Sequence, residues 1–282
     1  MKKIGFIDYY LSEWHANNYP IWIKDYCEAN NLEYKIAYAW AETDVSPVDG
    51  LNSKQYCEKF DVELCGSIKE VVEKSDFIFV LAPSNPETHL RLCEEAFKYG
   101  KGKRFYIDKT FAPDYETAVK IFKLAEENEI PFFSTSALRY AVDLKDCKNE
   151  TSVSTFYGGT NLPEYIIHQI ETVVKVMGVG AKKIKCEKED EITKFEVVYN
   201  DGRVAYLNYK LGWGYDIKVI KRDGTVIEKN LVGGFFTYLT AKIITFFETG
   251  EIDFDTKETL EVIKMRDVVL EACEDVGKWK EM

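Results

Sequence analysis

The sequence predicts an α/β protein: a Rossmann-like, doubly wound parallel sheet followed by an α+β domain with a mostly antiparallel open sheet. Three observations predict it. In the first half, short apolar runs alternate with amphipathic stretches at the spacing of repeated strand–helix–strand units. The run over 77–81 is apolar without interruption, as a strand covered on both faces requires. In the second half, Asp201-Gly202 and Asp223-Gly224 each separate two β-rich runs, and Asp-Gly is a preferred two-residue hairpin turn.

The elements follow in order. Residues 3–7 open the chain as a strand candidate, 34–40 form a second, and 77–81, 104–107 and 131–135 complete the parallel set. Helical patterns over 17–30, 67–74, 87–99 and 115–128 lie between them, ending at polar clusters or stop signals such as Asn30-Asn31 and Gly100. The second half opens with a β-rich run at 151–157 and a helix at 163–177. Strand candidates follow at 182–186, 192–199, 203–209, 216–221 and 225–230, and helices at 236–248 and 256–274 close the chain. A polar stretch over 143–150 marks the boundary, giving a dinucleotide-binding type of domain over 1–140 and a substrate and oligomerisation domain over 141–282.

Composition narrows the function classes. The 282 residues carry a net charge of −11, with 46% hydrophobic and 30% charged residues. That mixture fits a folded chain able to bury a sizeable core. The acidic balance argues against a nucleic-acid or anionic-membrane partner, since phosphate backbones call for basic patches. Lys2-Lys3 is followed by only four uncharged residues before Asp8, too few for a signal peptide, and no apolar run approaches the ~18 residues that span a bilayer. The expectation is a soluble cytoplasmic protein. The seven cysteines are scattered, odd in number and free of C-x-x-C pairs, as expected of reduced thiols.

Four segments then fall into register with a known family. Asp76-Phe-Ile-Phe-Val-Leu-Ala-Pro83-Ser84-Asn85-Pro-Glu-Thr-His89 resembles the D-x-V-x-I-x-T-P-N-x-x-H segment of the Gfo/Idh/MocA oxidoreductases. Asp108-Lys109-Thr110 stands where that family carries Glu-Lys-Pro, and Arg139-Tyr140 is similar to its Arg-Phe or Arg-Tyr after the sixth strand. Glu164-Tyr-Ile-Ile-His168 is similar to its D-x-x-x-H helix, with Gly178 ten residues beyond. The resemblance spans nearly the whole chain. It implies a Rossmann domain, NAD or NADP as cofactor, a sugar, polyol or related hydroxy compound as small-molecule substrate, and a homodimer or homotetramer built through the C-terminal sheet.

Hydride transfer from a carbinol carbon needs a base for the hydroxyl proton. Carried over from the family, Lys109 is that residue and His168 its partner. Glu164 lies four residues before His168, on one helical face, where its carboxylate could orient the imidazole. Pro83, Ser84 and Asn85 would border the nicotinamide, with His89 beside them as a ligand or as a packing residue. Arg139 and Tyr140 would line the domain junction, in a structural or a functional role. The three histidines, His15, His89 and His168, match no metal template, so no metal is expected.

The pattern breaks at the phosphate loop. Dinucleotide-binding domains carry G-x-G-x-x-G after the first strand, so that backbone N–H groups can approach the pyrophosphate. Here Asp8-Tyr9-Tyr10-Leu-Ser-Glu13-Trp14-His15 follows the strand, with no glycine. Tyr9 and Tyr10 would fill the phosphate space, and Asp8 and Glu13 would set negative charge beside it. Two like charges a few ångströms apart cost about 1 to 4 kcal/mol, roughly one to three decades of affinity. The second strand ends in Ala39-Trp40-Ala41, with an acid, Glu42, two residues late for the ribose. Thr110 replaces the family's Pro, so the local backbone is expected to differ. Asp8, Tyr9, Tyr10 and Trp40 are therefore the candidate lining of an atypical cofactor site. Two alternatives stay open: a binding or regulatory protein on the same fold without cofactor, and an aromatic cluster of Tyr9, Tyr10, Trp14, Tyr19, Trp22 and Trp40 that either stacks on a planar or sugar-like ligand or fills space.

Overall fold

A computed structural model describes all 282 residues. They group into two compact units, 1–135 with 237–253, and 136–236 with 254–282. The first unit holds β1 (Lys2–Tyr10), α1 (Trp14–Asn30), β2 (Tyr34–Thr43), α2 (Ser53–Phe60), β3 (Glu63–Leu64), α3 (Ile68–Lys74), β4 (Phe77–Val80), α4 (His89–Phe97), β5 (Arg104–Ile107), α5 (Tyr115–Glu127) and β6 (Phe132–Phe133). Its sheet runs β3-β2-β1-β4-β5-β6, every pair parallel. The strand order reverses between β1 and β4, the place where sheets of this kind present ligands.

Local chemistry explains these elements. All four residues of β4 are buried, which accounts for its unbroken apolar run. Gly5 lets α3 come close to β1, because a Cβ there would lie 2.5 Å from Val71 Cγ1 and 2.4 Å from Ser75 Oγ. α1 contains Pro20, which has no N–H for the carbonyl of Ala16; the buried Tyr56 hydroxyl donates to that carbonyl instead, at 2.6 Å. Two elements of this unit escaped the sequence reading. α2 starts at an Asn52/Gln55 capping box, and β3 is only two residues long and exposed.

The second unit holds β7 (Ser152–Tyr157), α6 (Leu162–Met177), β8 (Ala181–Glu189), β9 (Ile192–Tyr199), β10 (Val204–Tyr209), β11 (Asp216–Ile220) and β12 (Val226–Asn230). After α7 (Phe235–Thr249) it ends with α8 (Thr256–Glu274) and β13 (Trp279–Glu281). The sheet order is β12-β11-β7-β10-β9-β8-β13, antiparallel except for β7 beside β10. Both Asp-Gly pairs turn hairpins, β9 to β10 and β11 to β12. Val153, Ile184, Val197, Leu207 and Val219 are buried on one face of the sheet, and α6 packs on both β7 and α8. The opposite face carries cross-strand charges, such as Lys218 with Glu228 at 2.6 Å and Lys185 with Glu196 at 3.5 Å.

A single cut at residue 140 does not describe the units. Residues 237–253, most of α7, belong with the first, because that segment's apolar face completes its core. Phe247 stacks on Phe77 at 4.5 Å and meets Phe79 edge-on, while Phe246 meets Phe133. No helix is long and apolar enough to cross a membrane.

Arg139, expected at the domain junction, is an internal strut of the second unit. Its guanidinium bonds to Glu171 of α6 and, at 2.6 Å, to Glu258 of α8, and it lies 4.1 Å from the centre of the Phe254 ring. Both Arg139 and Glu171 are buried. Arg139→Ala removes the cation facing two carboxylates and is expected to cost about 3–5 kcal/mol in urea unfolding. A loss below about 1 kcal/mol would mean that the pair is solvated.

Candidate functional site

The first cluster stands at the carboxyl ends of β1, β4 and β5. β1 runs three residues beyond its expected end, so Asp8, Tyr9 and Tyr10 are strand, with Asp8 opposite Ala41. Asp8 Oδ1 accepts from the amides of Tyr9, at 2.7 Å, and Ala82, at 2.9 Å. Ala82 follows β4 with φ +58°, so Asp8 clamps a left-handed turn across the point where the strand order reverses. Asp8 is 1% exposed, and its Oδ2 has no hydrogen-bond partner. Burial, then the nearby Glu13 charge, pushes its carboxyl well above the usual range.

Glu13 makes the decisive contact. Its side chain caps α1, accepting from the amides of His15, at 2.7 Å, and Ala16. These are donors that a helix N-terminus otherwise offers to an anion. Glu13 is buried, and His15 Nδ1 lies 3.4 Å from it and 3.7 Å from Asp108 Oδ2. Asp108 follows β5 and is also buried; its Oδ1 accepts from the hydroxyls of Tyr106, at 3.0 Å, and Tyr19, at 3.3 Å. Burial and the Asp108 charge push the Tyr19 phenol well above its ordinary value. Asp8, Glu13, Asp108 and His15 do not form a group arranged to hold a metal ion.

The remaining residues of the first unit fall around this cluster. Lys109 is half-buried directly after Asp108, and its peptide bond to Thr110 is cis. Tyr9 and Tyr10 meet at 5.8 Å between ring centres, and the Arg91 guanidinium lies 5.8 Å from the Tyr9 ring. Arg91 also takes both oxygens of Glu42, at 2.9 Å each, so the acid late on β2 is already paired. Trp40 is half-buried in β2 opposite Ile7. Trp14 and Tyr19 each meet Trp22 edge-on at 5.3 Å, and Tyr19 continues into the core against Phe79. Pro83 is buried, Ser84 exposed, and Asn85 closes the turn with a 3.0 Å bond from its amide to Ala82 O.

Of the two roles left open for His89, its burial matches packing. It is fully buried, with Nδ1 3.1 Å from the carbonyl of Phe111 and Nε2 bonded to the carbonyl of Leu81. Burial lowers its pKa. It ties the segment after β4 to the segment after β5.

The second cluster lies in the second unit. His168, on α6, places Nδ1 2.7 Å from the Ser136 hydroxyl. Tyr165, Tyr157 and Tyr215 surround its ring at 5.8, 6.0 and 6.3 Å between centres. Tyr157 and Tyr215 stack at 3.8 Å, and the Tyr215 hydroxyl donates to that of Tyr157 at 2.6 Å. Leu138, Gln169, Thr172, Tyr157 and Tyr215 line a small cavity beside them. Glu164 accepts from the Asn161 side chain at 3.0 Å, and the hydroxyl of Ser136 is the partner at His168 Nδ1. Sequence reasoning missed Ser136, Tyr157 and Tyr215, which no spacing rule links to His168.

The residues at the first turn do not fit a dinucleotide pyrophosphate as they stand. The amides it would use are held by Glu13, and the buried Asp8 carboxyl stands close by.

No protein-family model matches the chain, and no curated protein matches it. Solved structures do. A probable dehydrogenase from Thermotoga maritima is 13% identical with a TM-score of 0.78, over 99% of this chain and 98% of that one. GenD2 from gentamicin A biosynthesis, in complex with NAD, is 10% identical with a TM-score of 0.78, over 100% and 96%. The UDP-N-acetylglucosamine 3-dehydrogenase GnnA from Acidithiobacillus ferrooxidans is 12% identical with a TM-score of 0.73, over 96% and 97%. The chain has the fold of these three proteins along nearly its whole length.

Asp8 yields a pH test. Its pKa is raised in the folded state, so protonated Asp8 favours the fold. That contribution is complete below the ordinary carboxylate range and is lost as pH rises through the folded value. Asp8→Asn keeps the Oδ1 acceptor and cannot ionise. It is expected to raise the melting temperature at pH 8 by ~2–4 °C per kcal/mol relieved, and to change little near pH 4. A lower melting temperature at pH 8 would show that the ionised carboxylate stabilises the turn.

Proposed function

We propose that this chain is a divergent member of the Gfo/Idh/MocA oxidoreductases, an NAD(P)-dependent dehydrogenase or reductase of a sugar, polyol or related small hydroxy compound. The observation that carries this reading is Lys109, just beyond the carboxyl end of the parallel strand β5, on a chain that shares its fold end to end with a probable dehydrogenase and with a protein solved in complex with NAD. Lys109 takes or returns the proton of the substrate hydroxyl, and His168 is its partner. Ser136 holds the imidazole at Nδ1. The stacked Tyr157 and Tyr215 rings offer a flat apolar wall with hydroxyls at its edge, suited to a sugar-like ring. Glu164, at the start of α6, supports the segment that carries His168. The outer face of the second sheet, with its matched cross-strand charges, is the surface through which a homodimer or homotetramer forms.

One observation favours a second reading, a binding or regulatory protein without cofactor: the Glu13 carboxylate on the α1 amides. Titration with NADH and NADPH separates the two, read by ligand fluorescence and by melting temperature. Saturation at 100 times the Kd adds ~2.7 kcal/mol, visible as a clear shift. No binding at millimolar concentration of either nucleotide leaves the second reading. With a substrate in hand from a sugar and polyol screen, Lys109→Ala and His168→Ala are each expected to lower kcat/KM by about 10²-fold or more; two fully active variants would remove the assignment. Light scattering at micromolar concentration should show a dimer or tetramer, and a monomer contradicts the sheet-face assembly.

A further inference from the structure

We propose that Glu13 is a built-in anion, seated where this fold would receive a dinucleotide's pyrophosphate, and that a dinucleotide gains this seat only by displacing it. The proposal rests on the oxidoreductase reading. The seat is defined by the helix: the His15 and Ala16 amides at the start of α1 converge on the Glu13 carboxylate, as they would on a phosphate oxygen. One group cannot hold these amides while another uses them, so carboxylate and phosphate compete for the same donors.

The rest of the turn is held without Glu13. The Ser12 hydroxyl donates to Asp49 at 2.7 Å, the Ser46 hydroxyl donates to the Ser12 carbonyl at 2.9 Å, and the Tyr56 hydroxyl fixes the Ala16 carbonyl. Ser12 itself sits at φ +57°, supplying the tight turn without a glycine. The start of α1 therefore stays formed when the carboxylate swings away, and its amides become an open anion seat. His15 Nδ1 lies 3.4 Å from the same carboxylate. Asp8 stays in place, fixed by the Ala82 amide, and its burial keeps its carboxyl toward the neutral form, which limits the repulsion it adds. Glu13 is thus the one group whose charge and position both exclude a phosphate from the turn.

The test compares wild type, Glu13→Gln and Glu13→Ala, titrated with NADH and separately with inorganic pyrophosphate. Thermal melts confirm that each variant is folded. Glu13→Gln keeps the shape of the cap and removes the charge, so it remains informative if Glu13→Ala unfolds. Both variants are expected to bind both probes at least about tenfold more tightly than wild type, with Glu13→Ala the tighter. Wild type saturating with NADH at micromolar concentration, with no gain in either variant, overturns the proposal and leaves the oxidoreductase reading standing. A gain for pyrophosphate with no NADH binding in any form supports the displaced anion and removes the oxidoreductase reading. No gain for either probe in a folded variant overturns the proposal whatever the reaction.

Discussion

Two hydrogen bonds to one oxygen, from the amides of Tyr9 and Ala82 to Asp8 Oδ1, tie together the open end of the first sheet. They join the end of β1 to the turn after β4, across the point where the strand order reverses. With that turn fixed, the carbonyl of Leu81 meets the ring of His89, and the other ring nitrogen reaches the carbonyl of Phe111 beyond β5. The carboxyl ends of three neighbouring strands are thus stitched by one carboxyl and one imidazole. Lys109 lies inside that stitching, one residue after Asp108, and its position follows from it.

Burying acids has a cost that the same region answers group by group. Asp108 is solvated by two phenols, Tyr19 and Tyr106, both pushed up because their ionised forms would face its charge after burial has already disfavoured them. Glu13 is solvated by backbone amides and by the positive end of α1. Asp8 has amides on one oxygen and nothing on the other, and burial drives it toward its neutral form.

The sequence reveals most of the scaffold because the longer strands carry their own signals. β4 is apolar on both faces, and the hairpins of the second unit turn at Asp-Gly. Helix α2 was readable too, since Asn52 and Gln55 spell its capping box. Other features depend on contacts that no local pattern records. The phenylalanines of α7 announce a buried face but not which core receives it, and Phe77, Phe79 and Phe133 answer that only in three dimensions. Lys109 and His168 stand out through the family resemblance and not through spacing. Ser136 precedes His168 by 32 residues, so its hydroxyl at Nδ1 is invisible to periodicity. The missing glycines were legible, and so was negative charge near the turn. That Glu13 folds back as the cap of its own helix was not, because Glu is not among the preferred capping residues.

That cap changes what the absence of glycine means. A glycine-poor turn could merely be crowded, and crowding by Tyr9 and Tyr10 would exclude ligands by shape alone. A carboxylate on the helix amides excludes them by chemistry: it satisfies the donors, cancels the helix's positive end and leaves no reward for an incoming anion. Shape and charge therefore act at different places. The tyrosines border Arg91 and Glu42 along β1 and β2, while Glu13 governs the start of α1 beside His15 and Asp108. A ligand that brings phosphate must first replace Glu13. The side chain to be replaced is held at the mouth of a turn whose other hydrogen bonds do not depend on it.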